Sequence, residues 1–463
     1  MAKTFVPGCE HSFATEIIQT QPNPIDWRYR EHAFLVNEFP SLSETFILNQ
    51  ITGLLAHGHD VDIYAARPSN SSVVHEDIHK HDLLKKTYYY PSLEIPTNPL
   101  QRATRAAHML LRSPPHYRTS LLRMLNFIKF GRTALSLRSL YKVYGWLDRV
   151  KKKYDIVHCH FGPNGNLAVL LKEAGLLKGK VITTFHGYDL SSVVQQSGTG
   201  VYRSLFRLGD LFLPISETWR QKLIDMGCAP NRVLVHRMGV DTAKYRYRLR
   251  ESKSAEIQLL TVARLVEKKG IEFAIRAVAK VRRKYPGVRY KIAGNGPLRP
   301  KLADLISELD LRDCVTLIGE RTQEEIVALA RDAHVFVAPS VTGKNGDQEG
   351  IPVGLMEALA QGMPVISTLH GGIPELIQHG QSGFLVPERD VEELAATLEL
   401  LLSNPQLWPG MGKAGRGFVE AHYNIAKQND RLVKIYEGLR ATGSGIASWM
   451  VSDNLTWALL NFL

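Results

Sequence analysis

The chain has 463 residues, 44% of them apolar and 22% charged, an ordinary composition for a globular protein with room for two or three domains. The net charge of +12 is concentrated: between Gln101 and Lys153 thirteen Lys and Arg stand against one acid, Asp148, so the rest of the chain is neutral. No run of 18 or more apolar residues and no signal-peptide pattern is visible, which argues against a membrane span and against secretion. Four cysteines (Cys9, Cys159, Cys228, Cys314) are scattered without zinc or redox spacing, as expected in a reducing cytosol.

Residues 1–30 have no periodicity and read as a poorly ordered arm. His32 to Val36 is a buried strand, Phe39 to Thr45 a loop, and Phe46, Ile47, Ile51, Leu54 and Leu55 the buried face of a helix. Gly58 ends that helix and Val61 to Tyr64 is the next strand, which makes a βαβ unit of a parallel sheet. The basic block 101–153 has helical spacing at Leu121, Leu122, Leu125 and Ile128, with Arg123, Lys129 and Arg132 between. It reads either as a solvated helix face or as a face resting on anionic lipid. With no nucleic-acid module and no interleaved stacking aromatics, nucleic acid is not an expected partner.

Asp155 to His160 is a strand. His158-Cys159-His160 offers metal-ligand residue types, but successive strand residues face opposite sides and no third ligand is near in sequence, so no metal is expected. Val181 to Phe185 is another strand, with His186-Gly187-Tyr188-Asp189 at its C-terminal end, where parallel sheets bind ligands. Leu211 to Ser216 completes this layer, and the first domain spans 31–243. Polar residues 244–255 form a linker to a second domain, 256–420. It opens with a strand from Leu259 to Ala263. Arg264 and Lys269 flank the following loop, a flat fork and a point charge suited to converge on a diphosphate; by register Lys268 is a poorer partner than Lys269. Strands at 290–293, 315–319, 335–340, 365–367 and 383–386 follow, with a Gly294-Asn295-Gly296 turn and Arg321 after two of them. A last helix covers 421–440, and 441–463 is an apolar, interfacial or disordered tail.

The most informative stretch is Gln348 to Glu357. Pro352 suits the first turn of a helix, Leu355, Met356 and Leu359 bury one face, and Gly362 with Pro364 stops it. Glu349 then lies in an exposed loop before the helix and Glu357 about one turn inside. The free N–H groups at a helix N-terminus suit a phosphate, Gly350 and Gly354 admit a ligand close to the backbone, and the two acids accept hydrogen bonds from hydroxyls. A sugar nucleotide has both features. Taken alone, the spacing equally fits a helix-capping Glu357 and a solvated Glu349.

This Glu-x7-Glu stretch resembles the motif of glycosyltransferase family 4, the retaining enzymes of GT-B fold, and the similarity runs from about residue 31 to about 440. The resemblance implies two Rossmann-like, doubly wound α/β domains facing across a cleft, with the last helix crossing back to the first. It implies that Arg264 and Lys269 clamp the donor diphosphate, that His186 contacts the sugar, and that Gly294, Gly296 and Arg321 lie near the nucleotide. It further implies that Glu349, Gly350, Ile351, Pro352, Val353 and Glu357 hold the donor. No cofactor or metal is implied. Ser43-Glu44-Thr45 replaces the Gly-Gly turn of many members, as in the branch that builds bacterial exopolysaccharides such as colanic acid. That branch implies a polyprenyl-diphosphate-linked glycan acceptor and a peripheral position on the inner face of the cytoplasmic membrane. The alternatives are another lipid or small-molecule acceptor, a nucleotide-sugar epimerase of the same architecture, or a binding protein without catalysis.

Overall fold

A computed structural model describes residues 30–441, apart from 42–43, 70–74, 91–92, 128–131, 151–152 and 252–255. The N-terminal arm, the apolar tail, Ser43, Ile128 and Lys129 therefore lie outside the described residues.

Six strands form a first sheet: β1 (Arg30–Glu38), β2 (His59–Arg67), β3 (Thr87–Tyr89), β4 (Ile156–His160), β5 (Lys180–Phe185) and β6 (Leu211–Pro214). Six more form a second: β7 (Ile257–Val262), β8 (Val288–Ala293), β9 (Val315–Gly319), β10 (Val335–Ala338), β11 (Val365–Thr368) and β12 (Gly383–Val386). The spatial orders are β3-β2-β1-β4-β5-β6 and β12-β11-β10-β7-β8-β9, all parallel. Each is the doubly wound order in which the chain reverses direction beside its first strand. The strands are near-continuous apolar runs because helices cover both faces; Ala33 to Val36 and all of β4 are buried.

Each sheet has a switch point: β1 beside β4 in the first, β7 beside β10 in the second. Loops leaving the C-terminal ends of those strands diverge there and leave a crevice. Both crevices face the same interdomain cleft.

Two expected elements differ. The last helix is not one rod from 421 to 440; one helix runs Trp408–His422 and another Ile425–Ala441. The break exists because Val240 of the first domain accepts Ile425 N–H (3.1 Å) and donates to the Tyr423 carbonyl (2.8 Å), pairs that a continuous helix would forbid. The second helix then packs on the first domain, where Asn429 donates to the Asn49 carbonyl and Tyr436 meets His158. In the basic block the described helices are Pro99–Arg112, Pro115–Arg123, Arg132–Leu135 and Arg138–Tyr144. Leu121 is buried, but Leu122, Leu125 and Phe127 point to solvent rather than to a core.

Candidate active site

Four strand ends supply the site: Glu44 after β1, His186 after β5, Arg264 to Lys269 after β7, and the loop to Glu349 after β10.

The loop after β7 closes in a tight 3-10 turn, Glu267–Lys269, before the helix Ile271–Arg282. Three residues per turn set neighbouring side chains about 120° apart, and the long, flexible stems of Lys268 and Lys269 bring both ammonium groups to the same acid all the same. Lys269 Nζ donates to Glu349 Oε2 at 2.9 Å, and Lys268 Nζ lies 3.4 Å from Oε1 and 3.1 Å from Asp347 Oδ2. Lys268, by register the poorer partner in the sequence, is thus a second cation of the cluster. Arg264 stands exposed at the mouth and pairs with no acid among the described residues.

Glu349 is not in an exposed loop as expected; it is 6% exposed. Burial alone would raise its pKa, but Lys269 and Lys268 outweigh that and hold it at about 2. Burial lowers the Lys269 pKa, and the Glu349 carboxylate opposes that shift. A second device fixes the backbone. His370 Nε2 accepts the Glu349 N–H at 2.9 Å, which puts the imidazole proton on Nδ1, 2.6 Å from Glu388 Oε1. Glu388 also accepts the Thr342 N–H at 2.7 Å, so one carboxylate ties both ends of the loop 342–349.

Pro352 sits just outside the helix Val353–Ala360, in extended backbone, and the helix ends at Gly362 with φ +76°. Glu357 is half-buried one turn in. Burial raises its pKa, and Tyr245 Oη donates to its Oε1 at 2.6 Å. Gly350 does not hold open room for a ligand as expected: a Cβ there would strike the His186 carbonyl of the first domain. The two domains touch through this backbone, and Gln348 N–H donates to Ser191 Oγ at 3.1 Å beside it. Ile351 and Pro352 are buried behind the contact, with Val353 partly so. Gly354 packs against Phe336 and Val262, again protein rather than open cleft. Gly294 and Gly296 let the chain cross the Ala263 and Leu265 carbonyls, and so seat the backbone that carries Arg264. Arg321 is exposed and 3.6 Å from Glu325.

His186 is buried between Phe46 and Phe161, with ring centroids 4.6 and 4.7 Å away. Its Nε2 pairs with His160 Nδ1 at 3.0 Å, and its Nδ1 has no partner among the described residues. Asp189 shapes the turn by accepting the N–H groups of Gly162 (3.0 Å), His186 (3.1 Å) and Gly187 (2.9 Å). The rings of His158, His160 and His186 stack in sequence, at 4.7 and then 5.2 Å. His158 and His160 share one face of β4, but His158 is taken by Tyr436 Oη (2.6 Å) and Thr184 Oγ1 (2.7 Å) rather than by a metal.

Sequence reasoning thus brought Arg264, Lys269, Glu349, Glu357 and His186 to one cleft, and missed Lys268, His370, Glu388, His160 and Asp189. Only Asp189 carried a local signal, an acid three residues after His186 across a glycine, which is turn chemistry.

These buried imidazoles have a cost in acid. In the unfolded chain each binds a proton below about its usual 6.5. In the fold, burial holds His186 and His236 down to about 3 and keeps His158 and His160 well below 6.5. The unfolded state therefore binds more protons, and stability falls as pH drops from 6.5 toward 3, by about 1.4 kcal/mol per unit for each such group. Thermal unfolding across that range should show the first domain melting earlier, and His236→Gln should flatten the slope. A first-domain melting temperature unchanged from pH 7 to 5 would refute this.

A pair of doubly wound domains facing across a cleft, with a cluster of lysines and carboxylates at the second domain's switch point, is the GT-B glycosyltransferase architecture. The chain belongs to glycosyltransferase family 4: residues 43–244 match the Glycosyltransferase Family 4 model and residues 248–418 the model of glycosyl transferases group 1. It is 40% identical over 370 residues to a protein named as the colanic acid biosynthesis glycosyltransferase WcaL of Salmonella typhimurium, covering 79% of this chain and 89% of that one. It is 37% identical over 407 residues to the amylovoran biosynthesis glycosyltransferase AmsK of Erwinia amylovora, covering 88% and 99%. Among solved structures, Anabaena Alr3699/HepE in complex with UDP and glucose matches with a TM-score of 0.62 at 15% identity, covering 87% of this chain and 98% of that one, a likeness of fold. The chain is an enzyme of the glycosyltransferase class, and the resemblance to the exopolysaccharide branch holds in its relatives.

Proposed function

We propose that this enzyme transfers a sugar, with retention, from a nucleotide-diphosphate donor to a lipid-linked oligosaccharide during exopolysaccharide biosynthesis. The observation that carries the reading is the convergence of Lys268, Lys269 and Glu349 across from His186, with Arg264 uncommitted at the mouth. Arg264 and the lysines stabilise the negative charge that develops on the leaving diphosphate. Glu349, kept ionised, accepts from donor sugar hydroxyls, and Glu357 and Arg321 serve the nucleoside. His186 offers Nδ1 to the sugar. Retention is the course that the family implies, and the exopolysaccharide product follows the relatives' names. Because side-chain cations neutralise the leaving group, chelator should leave turnover unchanged. Loss of activity in chelator, restored by a divalent ion, would overturn that account. The test of the whole reading is a screen of nucleotide sugars for turnover with a polyprenyl-diphosphate-linked acceptor.

We also propose that the basic block rests on anionic lipid at the inner face of the cytoplasmic membrane. Among the described residues no helix is long and apolar enough to cross a bilayer. Leu100 (74% exposed) and Leu111 (73%) stand out among exposed Arg105, Arg112, Arg118 and Arg123. Each cation near such a surface is worth about 1 kcal/mol. Reversing Arg105, Arg112, Arg123 and Arg138 to Glu should release the protein from anionic vesicles in co-sedimentation, and salt should do the same to the parent. Equal, salt-insensitive binding to neutral and anionic vesicles would rule the role out.

A further inference from the structure

The loop after β1 carries a carboxyl with no assigned task. Glu44 stands just ahead of the helix Thr45–Ala56. Its carbonyl accepts the Ile47 N–H at 2.9 Å, yet its side chain caps nothing. Oε2 is buried and has no hydrogen-bond partner among the described residues. The charges acting on it come from three elements: Glu38 at the end of β1, Arg67 at the end of β2, and Arg264 from the other domain. Tyr188, after β5, feels the Glu44 charge in turn, and the helix itself brings no acid in its first turn. Arg67 is occupied by Glu38 at 2.9 Å. Arg264, exposed on the opposite wall of the cleft, is then the uncommitted cation whose charge reaches Glu44.

Arg264 is also where the donor diphosphate is assigned above. A diphosphate there takes over the cation and sets further negative charge beside the carboxylate. Two anions sharing one desolvated site favour a proton on one of them. We propose that Glu44 is a donor-binding residue of the first domain, which on donor binding takes one proton from solvent and donates the resulting O–H to a phosphate oxygen. The inference rests on the nucleotide-sugar reading. It gives the stranded Oε2 a partner and keeps a carboxylate from repelling the leaving group. The group is near that state without ligand, since burial and then Glu38 push it up to about 7 against Arg264 and Arg67.

Isothermal titration in buffers of different ionisation enthalpy measures the proton directly. The probes are UDP-glucose, UDP-galactose, UDP-N-acetylglucosamine and GDP-mannose, whose diphosphates carry no group titrating near neutrality. With the probe that binds, the full-length protein should take up a large fraction of one proton at pH 7.5, and affinity should fall about tenfold or more between pH 6.5 and 8.5. Glu44→Gln, whose amide also donates, should bind at all pH near the parent's low-pH affinity and without uptake. Glu44→Ala should also lose the uptake but bind more weakly. Binding without uptake by the parent, or uptake that survives in both variants, overturns the role of Glu44 and leaves the donor reading standing. Failure of all four probes to bind the parent overturns the donor reading, and this inference with it.

Discussion

Glu349→Gln is expected to lower sugar transfer by at least about 100-fold, the scale on which loss of one preorganised charged group acts at a reacting centre. The carboxylate is held ionised by two lysines and its amide is fixed by His370. The amide side chain keeps the volume but removes the charge, so Lys269 and Lys268 are left facing each other. Breaking a buried pair from one side costs about 3–5 kcal/mol, and the variant should therefore also melt earlier. Asp347→Asn separates the two effects. It removes a neighbouring ion-pair partner of Lys268, without touching Glu349, and should cost stability with little loss of transfer. Single-turnover transfer and calorimetry on both variants make the comparison. A folded Glu349→Gln enzyme with near-normal turnover would remove this residue from the mechanism.

Lys269→Met should weaken nucleotide-sugar binding and transfer by about 10- to 100-fold or more, since a charged hydrogen bond is worth about 1.5–3 kcal/mol. Lys269 makes the shorter contact to Glu349, 2.9 Å against 3.4 Å for Lys268. Lys268 is shared with Asp347. Lys268→Met should thus be the milder change in transfer. Lys269→Arg should not rescue, because a planar fork cannot occupy the place of a compact ammonium buried against the acid. Titration with the nucleotide sugar, followed by steady-state transfer, ranks the three variants. Equal losses at both lysines would mean that the cluster acts as a pool of charge, with no distinct role for Lys269.

Much of the architecture was legible in the residues. Runs such as Ala33 to Val36 and Val365 to Ser367 are too apolar to have one wet face, and regular strand-helix alternation leaves a parallel sheet as the solution. Arg264, Lys269 and Glu349 were legible because each follows a strand, and strand C-termini are where doubly wound sheets bind ligands. The spacing of Glu349 and Glu357 located both acids at one helix end.

Other features depend on contacts between distant segments, and no local pattern encodes them. Glu349 is buried because the loop carrying His370 and a turn with two lysines fold over it, across 21 and 80 residues of chain. Gly350 is small because the His186 carbonyl of the other domain passes there, not because a ligand does. The last helix breaks at Tyr423-Asn424 because Val240 claims the backbone on both sides. Local propensity and spacing therefore determined the strands and the identity of the charged groups, and the resemblance of the Glu-x7-Glu stretch supplied the family. Which of those charges meet, and which are held ionised or neutral, was decided by burial and by partners that only the packed domains bring within a few ångströms.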